Sequence, residues 1–335
     1  MTTDKPTRIM SEDVLTIENL QTAFDTERGR LTAVDGVSFT VPAGKTVGIV
    51  GESGCGKSVT AMSIVQLLPQ PAGVITGGKV IFKGKDLLEA DEETLYNVRG
   101  NEIGVIFQEP MTALNPVHRV GKQISESLML HKGISKKEAW EESVKLLDMV
   151  GIPSPEIRVG EYPHQLSGGM RQRVVIAIAL ACEPDLIIAD EPTTALDVTV
   201  QAQILDLLKK LQEENGSSVI LITHDLGVIA ETCDEVVVMY AGRVVEQASV
   251  ENIFKNPQHE YTKGLLDSIP KLETPRKSVL KTIPNMVAGL ADFVEGCRFC
   301  QRMEREGDTL TTRPKFKEIA PDHWVEACPL CTTHA

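Results

Sequence analysis

The sequence predicts an α/β fold built on a mainly parallel sheet. Short apolar runs of β character alternate with helical segments over much of the chain. One such run, TVGIV (46–50), leads into a glycine-rich loop that opens a helix, an order typical of a buried parallel strand. The 335 residues are 42% hydrophobic and 24% charged, which is sufficient for two domains or for one large domain with an extension.

The first part of the chain is predicted to be rich in β structure. The expected strands are VLTIENL, LTAVDGVSFTV and TVGIV within residues 14–50, then GGKVIFKGKDL at 77–87. SVTAMSIVQLL (58–68) is predicted as the first helix and VIFQ (105–108) as a further short strand. We therefore expect an N-terminal antiparallel β subdomain ahead of the parallel sheet.

The pattern changes to helices between about 112 and 181, which predicts an inserted α-helical subdomain. KKEAWEESVKLLDMVGI has apolar residues at helical spacing and ends at Gly151 and Pro153, and RQRVVIAIALACEP is a second helix stopped by Pro184.

Alternation of strand and helix then returns. DLIIAD (185–190) and SVILITHD (218–225) are predicted strands on either side of a helix that ends at Gly216, and EVVVMYAGRVVEQ is predicted to be a hairpin. After about residue 255 the chain becomes proline-rich and irregular, which predicts a boundary between residues 1–255 and 256–335.

Composition and charge exclude several classes of protein. The net charge of −13 argues against a general nucleic-acid binder, which would need a basic surface. No run approaches the roughly 20 apolar residues needed to cross a bilayer. The first residues, MTTDKPTRIMSEDV, have no apolar signal core, so we expect a cytoplasmic chain whose membrane role would come through a partner.

Residues 51–58, GESGCGKS, are the most informative segment of the chain. They fit a phosphate-binding loop, in which glycines let backbone N–H groups approach phosphate oxygens. Lys57 would carry a positive charge to the β- and γ-phosphates, and Ser58 would offer a hydroxyl to Mg²⁺. The strand before the loop and the helix after it favour a true nucleotide site.

A second phosphate-handling element is LIIADE (186–191), four apolar residues followed by two carboxylates. Asp190 would hold Mg²⁺, and Glu191 would be the general base for an attacking water. The alternative is a strand that ends in solvated acids.

The third element, LSGGMRQR (166–173), places Ser167 and two glycines just before a helix, which makes either an anion site or a plain helix cap. Two anion sites so far apart in one chain suggest a nucleotide shared between two copies.

With these motifs in order, the chain resembles the ATP-binding subunits of ATP-binding-cassette (ABC) transporters over about residues 14–250. GESGCGKS matches the Walker A loop, LIIADE the Walker B strand, Gln108 the Q-loop, ALD (195–197) the D-loop and His224 the switch histidine. LSGGM matches the signature LSGGQ, with Met170 in place of glutamine. The resemblance implies a P-loop NTPase cassette with the layout described above and a small cysteine-bearing C-terminal extension.

The resemblance also implies roles for individual residues. ATP contacts are expected from Phe24, which would stack on adenine, and from Gly51, Glu52, Ser53, Gly54, Cys55, Gly56, Lys57, Ser58 and Val59. The Mg²⁺ ligands would be Ser58, Gln108 and Asp190, and the catalytic groups Glu191, His224 and Gln108. Leu166, Ser167, Gly168, Gly169 and Met170 would contact ATP held by the opposite cassette, and Asp197 would link the two sites. Phe24 has a simpler alternative as a core residue, and His224 as a structural histidine.

The C-terminal extension resembles that of the oligopeptide, dipeptide and nickel importer ATPases. NPQHEYTKGLLDSIP is similar to their NPxHPYTxxLLxxxP segment, with Glu260 in place of proline. GCRFC and DHWVEAC are similar to their cysteine-bearing tail, which in relatives can hold a [4Fe–4S] cluster. The middle cysteines expected near Met303 and Thr309 are missing.

Four cysteines in this tail, Cys297, Cys300, Cys328 and Cys331, form two C-x-x-C pairs. That grouping is also the arrangement of a four-thiolate Zn²⁺ site. We expect a metal site, a [4Fe–4S] cluster by resemblance or Zn²⁺ by spacing, with four free thiols as the alternative. A thioredoxin-like role is disfavoured because neither pair is expected to open a helix after a strand. His323 and His334 are spare candidate ligands, and the simpler expectation for both is polar surface.

The leading interpretation is an ATPase that drives import of oligopeptides or dipeptides from the cytoplasmic face of the membrane. The resemblance implies a second, different cassette subunit, two transmembrane permease subunits and an extracytoplasmic solute-binding protein as partners. The alternatives are import of nickel or another small solute, and a soluble cassette ATPase acting on nucleic acid or the ribosome.

Overall fold

The computed structural model describes residues 13–194, 196–269 and 281–333 of the chain. The strands are β1 (Asp13–Thr26), β2 (Gly29–Pro42), β3 (Thr46–Val50), β4 (Gly73–Phe82), β5 (Lys85–Asp86), β6 (Ile103–Ile106), β7 (Leu186–Asp190), β8 (Ser218–Thr223), β9 (Glu235–Tyr240), β10 (Arg243–Ser249), β11 (Phe316–Ala320) and β12 (His323–Glu326). The helices are α1 (Lys57–Ile64), α2 (Glu92–Val98), α3 (Pro110–Ala113), α4 (Val120–Lys132), α5 (Lys136–Met149), α6 (Pro155–Arg158), α7 (Gly168–Leu180), α8 (Val198–Asn215), α9 (Leu226–Thr232), α10 (Val250–Lys255), α11 (Glu260–Asp267) and α12 (Arg298–Arg302).

The core sheet has the strand order β11-β12-β10-β9-β3-β8-β7-β6. Strands β9, β3, β8, β7 and β6 are parallel to one another, and β10, β12 and β11 continue the sheet in antiparallel pairing. Every residue of β3, β7 and β8 is buried, as expected of parallel strands covered on both faces. The predicted mainly parallel core is confirmed.

The N-terminal strands form a separate antiparallel sheet in the order β2-β1-β4-β5, as predicted. Its apolar residues share one core with α1, α2 and the strands of the main sheet. The β subdomain therefore packs directly onto the helix that follows the glycine-rich loop.

The helical insertion lies between β6 and β7, also as predicted. Ser135 caps α5 in a reciprocal capping box, in which the backbone N–H of Ser135 donates to Glu138 Oε2 over 2.9 Å. Gly151 leaves α5 with φ 72°, a conformation that glycine adopts without strain. Helix α7 packs against α4 and α5 and against β6, so it connects the insertion to the core sheet.

Two predicted boundaries shift. Helix α1 ends at Ile64 because Gln66 adopts a left-handed φ of 52°, so the predicted helix over 58–68 is four residues too long at its C-terminus. Strand β6 ends at Ile106, so Gln108 lies beyond the strand that was predicted to contain it.

The segment after residue 255 is more ordered than predicted. The proline-rich stretch contains α11, whose N-cap His259 accepts a hydrogen bond from the backbone N–H of Tyr261 over 3.1 Å. Tyr261 is fully buried, and β12 pairs with β10 of the core sheet. The interpretation of this stretch as irregular is therefore wrong over Glu260–Asp267, and residues 270–280 lie outside the described residues.

The surface assignment of His323 is also wrong. Its imidazole is buried, and Nε2 lies 2.8 Å from Oε1 of the buried Glu246. His334 lies outside the described residues.

No helix among the described residues is long and apolar enough to cross a bilayer. Residues 1–12, most of the segment in which the sequence shows no apolar signal core, are not among the described residues.

Candidate nucleotide site and cysteine cluster

Four parallel strands bring the glycine-rich loop and the predicted cation-binding and catalytic residues to one end of the core sheet. β3 leads into the loop at 51–58, β6 toward Gln108, β7 into Glu191 and β8 into His224. In the sheet register Val50 lies opposite Thr223, and Asp190 opposite Ile222. The carboxyl end of such a sheet is where ligands bind in open α/β folds.

The glycine-rich loop has the geometry of an anion-binding turn. Gly51, Gly54 and Gly56 have φ values of 154°, 80° and 103°. A Cβ on Gly51 would lie 2.2 Å from the carbonyl oxygen of Met239, so only glycine fits there. Helix α1 begins at Lys57, which directs its first N–H groups into the loop.

The ammonium of Lys57 lies within this loop. Nζ donates to the carbonyl oxygens of Gly51, at 2.7 Å, and Glu52, at 3.0 Å, and the residue is 5% exposed. Cys55 is buried at the position that the motif leaves free, and burial raises the pKa of its thiol, so it remains a poor nucleophile.

Asp190 and Ser58 lie side by side as the sequence predicts for two ligands of one cation. Ser58 Oγ donates to Asp190 Oδ1 over 3.1 Å. Asp190 is 2% exposed, and its burial raises the pKa of the carboxyl group despite the hydrogen bond from Ser58. A divalent cation at this position would compensate the desolvated carboxylate.

Glu191 is the centre of a polar cluster. Its Oε2 accepts hydrogen bonds from Gln108 Nε2 over 3.1 Å and from Thr194 Oγ1 over 2.8 Å, and lies 3.4 Å from His224 Nδ1. Its backbone has φ 47°, a conformation that is uncommon outside glycine and that concentrates at functional sites. Sequence reasoning missed Thr194; its position three residues after Glu191 in EPTT was the available signal.

The signature residues lie on another element, at the start of α7. Ser167 is the N-cap and its Oγ accepts from the backbone N–H of Met170 over 3.4 Å. Leu166 is buried, and Gly169 lies so close to Val200 that an added Cβ would be 2.9 Å from Cγ1. Ser167 therefore caps α7, Gly168 has open space around it, and contact of these residues with nucleotide stays a prediction.

Two further predicted residues have structural surroundings of their own. Asp197 is the N-cap of α8 and accepts from the backbone N–H of Val200 over 3.0 Å, whereas Ala195 of the ALD segment lies outside the described residues. Phe24 is half-buried in β1 opposite Gly73 of β4. Its role in stacking on adenine stays a prediction.

The four cysteines of the C-terminal extension come together in one cluster. All four are fully buried, and their Sγ atoms lie within 4.8 Å of one another. The Sγ–Sγ distance is 3.7 Å between Cys297 and Cys331, 3.5 Å between Cys300 and Cys328, and 3.3 Å between Cys300 and Cys331. Arg305 Nη1 lies 3.2 Å from Cys331 Sγ.

The first pair opens a short helix, although not after a strand. Cys297 is the N-cap of α12, and the backbone N–H of Cys300 donates to its Sγ over 3.4 Å. The segment before it is a loop and not a strand, which keeps the site unlike a thioredoxin motif. Hydrogen bonds with neighbouring thiols, that of Cys297 first, lower the pKa of Cys300 and bring that of Cys328 to about 7.

Comparison with known proteins identifies the family. A family model described as ABC transporter matches residues 34–194, and one described as oligopeptide/dipeptide transporter, C-terminal region, matches residues 245–308. The probable peptide ABC transporter ATP-binding protein y4tR of Sinorhizobium fredii is 51% identical over 316 residues, 94% of each chain. The chain belongs to the ATP-binding proteins of the ABC transporter family. As a member of this family, this ABC protein is the ATP-hydrolysing subunit of a transporter.

Other relatives agree with this assignment. The oligopeptide transport ATP-binding protein OppD of Bacillus subtilis is 50% identical to this ABC protein over 316 residues, 94% of this chain and 88% of its own. Among solved structures, the ATP-binding cassette MJ0796, a dimer bound to ADP and phosphate, is 30% identical with a TM-score of 0.63. That likeness covers 70% of this chain and 98% of the other, and it confirms the cassette fold.

Proposed function

We propose that this ABC protein hydrolyses ATP to drive import of oligopeptides or dipeptides through separate membrane subunits. The observation that carries the proposal is the carboxylate of Glu191, on which Gln108, Thr194 and His224 converge beside the cation ligand Asp190. The matched C-terminal region and the names of the relatives support a peptide as the solute.

Phosphate and cation binding begins at the loop. When ATP enters, the ammonium of Lys57 exchanges its two carbonyl partners for the β- and γ-phosphates. Ser58 and Asp190 would hold Mg²⁺, which supplies charge neutralisation between the phosphate oxygens, and Gln108 would complete the set from the neighbouring strand end. Phe24 would stack on the adenine.

Glu191 accepts the proton of the attacking water. Its oxygen Oε2 accepts hydrogen bonds from Gln108 and Thr194 and lies 3.4 Å from His224 Nδ1, so the carboxylate is oriented before substrate binds. His224, whose side chain is 64% exposed, faces open space in which a γ-phosphate and a partner cassette can lie. Its imidazole would donate to the γ-phosphate.

Each ATP would be completed by a second cassette. Residues 166–170 lie at the N-terminus of a 13-residue helix whose first N–H groups suit an anion. We propose that they contact ATP held by the partner and that Asp197 communicates between the two sites. By resemblance the partner is a different cassette chain, with two permeases and a solute-binding protein, and the assembly lies at the cytoplasmic face of the membrane.

The cysteine cluster is a metal site in this proposal. Tetrahedral coordination at a Zn–S length of about 2.3 Å places sulfur atoms about 3.8 Å apart. The three closest sulfur pairs, at 3.3 to 3.7 Å, are suited to one ion. In a [4Fe–4S] cluster each thiolate binds a different iron of the cube, so the cysteine sulfur atoms lie farther apart than around a single ion. Zn²⁺ is therefore favoured, and Arg305 would offset part of the thiolate charge.

Two experiments test the proposal. Affinity purification from the native membrane should recover two permeases and a second cassette, and a peptide-loaded solute-binding protein should stimulate the ATPase of that assembly. Stimulation by a nickel chelate and not by peptides would assign the other solute, and stimulation by DNA or ribosomes would contradict transport. For the metal, anaerobic purification should give one zinc per chain. Stoichiometric iron and sulfide would instead assign a [4Fe–4S] cluster to the four cysteines.

A further inference from the structure

Helix α12 presents two functional faces. Cys297 and Cys300, three residues apart, point into the cysteine cluster. Arg298 and Arg302, one helical turn apart, contact the nucleotide-binding part of the chain instead. Arg298 Nη2 lies 2.6 Å from Asp35 Oδ2 in β2, so whatever fixes the cysteines also fixes both arginines.

Arg302 pairs with the phosphate loop itself. Its guanidinium makes a two-point contact with Glu52, Nη1 to Oε2 at 2.5 Å and Nη2 to Oε1 at 3.2 Å. Glu52 is the second residue of GESGCGKS. The Arg302 side chain is 4% exposed, so the pair is shielded from solvent on the arginine side.

The guanidinium of Arg302 is held in place independently of Glu52. Its Nε donates to the carbonyl oxygen of Pro284 over 2.9 Å, and Nη2 donates to that of Asn285 over 3.1 Å. The side chain also lies over the ring of Tyr240, 6.0 Å from its centroid. The arginine is therefore a rigid support, and Glu52 is the group that it positions.

Glu52 is fixed at a second point by the same extension. Its backbone N–H donates to the hydroxyl of the fully buried Tyr261 over 2.9 Å, and its carbonyl oxygen accepts from Lys57. The ring of Tyr261 packs against Phe299, a residue of α12 between the two cysteines, with centroids 5.8 Å apart. The side chain of this one loop residue is thus held by Arg302 and its backbone by Tyr261.

We propose that Arg302 is a positioning residue of the nucleotide site, and that metal binding to the four cysteines raises nucleotide affinity by holding α12 and Arg302 against Glu52. A loop fixed in its binding conformation loses less entropy when phosphate binds. The coupling is reciprocal, so bound nucleotide tightens metal binding by the same factor. The metal half of this inference rests on the proposed cysteine site.

The test uses the full chain and Mg²⁺–ADP, which binds the phosphate loop without hydrolysis. We expect Arg302→Gln and Glu52→Gln each to weaken ADP affinity by about tenfold in calorimetric titrations. The double variant should bind ADP no more weakly than either single variant, because both substitutions remove the same Arg302–Glu52 contact. Arg302→Lys, which keeps the charge but not the two-point geometry, should recover part of the affinity.

A matched control separates positioning from general stability. Arg313→Gln removes another arginine of the extension, one that pairs with Asp35 over 2.9 Å and does not touch the loop, and should leave ADP affinity within about twofold of wild type. If Arg302→Gln lowers the melting temperature but leaves ADP affinity unchanged, the residue is structural only and the proposal is overturned.

The dependence of ADP affinity on the cysteine-bound metal is measured in the same titrations. Removal of the cysteine-bound metal with a Zn²⁺-selective chelator that spares Mg²⁺ should weaken ADP binding in wild type, with recovery on adding back Zn²⁺, and should have no further effect in Arg302→Gln. Equal ADP affinity with and without metal would overturn the coupling. None of these measurements depends on the transported solute, so their failure is distinct from a failure of the import assignment.

Discussion

Two places among the described residues are suited to metal, and they differ in how far the chain itself completes them. At the carboxyl end of the core sheet, Asp190 is buried, but Gln108 is exposed and the His224 side chain is 64% exposed. In the C-terminal extension all four cysteines have no exposed surface, and they lie within reach of one ion. The first site is open toward ligands; the second is closed by the chain.

The difference follows from what each place must exchange. A site that takes ATP and releases ADP in every cycle must leave some coordination positions to nucleotide, water and partner chain. A site that organises structure keeps all its ligands and excludes water. Breaking the open site should therefore stop turnover with little loss of stability, whereas breaking the closed one should cost stability first.

The largest effect is expected from Glu191→Gln. Loss of the general base should lower ATP turnover by about 10²–10⁴-fold while ATP binding persists, because the amide keeps its size but does not take up a proton. Steady-state phosphate release and nucleotide titration measure the two quantities. Glu214→Gln, at an exposed position of α8, is the control. Wild-type-like turnover in Glu191→Gln would sink the assignment of the base.

Substitution in the closed site should act on folding. We expect Cys297→Ser to lose bound metal and to lower the melting temperature by at least about 5 °C, since metal binding contributes free energy of folding. Cys182→Ser, which alters a buried cysteine outside the cluster, is the matched control. Equal melting temperatures for the two variants, measured by calorimetry, would mean that the cluster does not stabilise the extension.

Substitution of Asp190 should have a smaller effect on stability than substitution of Cys297, and it should stabilise the protein. Because burial raises its pKa, the folded chain holds this proton more tightly than the unfolded chain does. The ionised carboxylate therefore destabilises the metal-free protein above its folded pKa, and the effect disappears well below the ordinary carboxyl range.

We accordingly expect Asp190→Asn to raise the melting temperature at pH 7 by about 3 °C without Mg²⁺, and this gain to shrink toward acid pH. Mg²⁺ should no longer bind tightly. Asp206→Asn, exposed on α8, supplies the baseline. A gain that stays constant with pH would show that charge burial is not its cause.

The smallest effect is expected at Ser167. Ser167→Ala should lower the free energy of unfolding by about 1 kcal/mol through loss of the α7 cap, and Ser167→Asn, which retains capping ability, by less than about 0.5 kcal/mol. Urea unfolding measures both. A loss of ATP turnover that the loss of stability does not account for, in either variant, supports contact with nucleotide in the partner cassette.

The nucleotide end was predictable because its signals are local. A glycine-rich loop after an apolar run and two acids at a strand end each specify their own geometry, and parallel strands then bring their carboxyl ends together. The amino-acid pattern alone therefore indicates Lys57, Asp190 and Glu191. Thr194 is less evident, because its place three residues after Glu191 is a weak signal and its hydroxyl reaches Glu191 only through the turn that follows β7.

The extension was less predictable because its contacts are distant in sequence. Arg302 meets Glu52 across 250 residues, and nothing near either residue indicates the other. His323 looked like a polar surface residue because its partner Glu246 is 77 residues away. Helix α11 was missed since prolines on both sides outweighed the spacing of Tyr261, Leu265 and Leu266, which alone is typical of a helix.

The pairing of β12 with β10 has a consequence for any shortened form of the protein. Glu246 and Gln247 of β10 hydrogen-bond in register with Val325 and Trp324, so the extension supplies the outer neighbour of that strand. Without residues 256–335, β10 would present unpaired backbone donors and acceptors at the border of the sheet, a known template for strand-to-strand aggregation. Pairing with β12 therefore covers the backbone edge that β10 would otherwise expose.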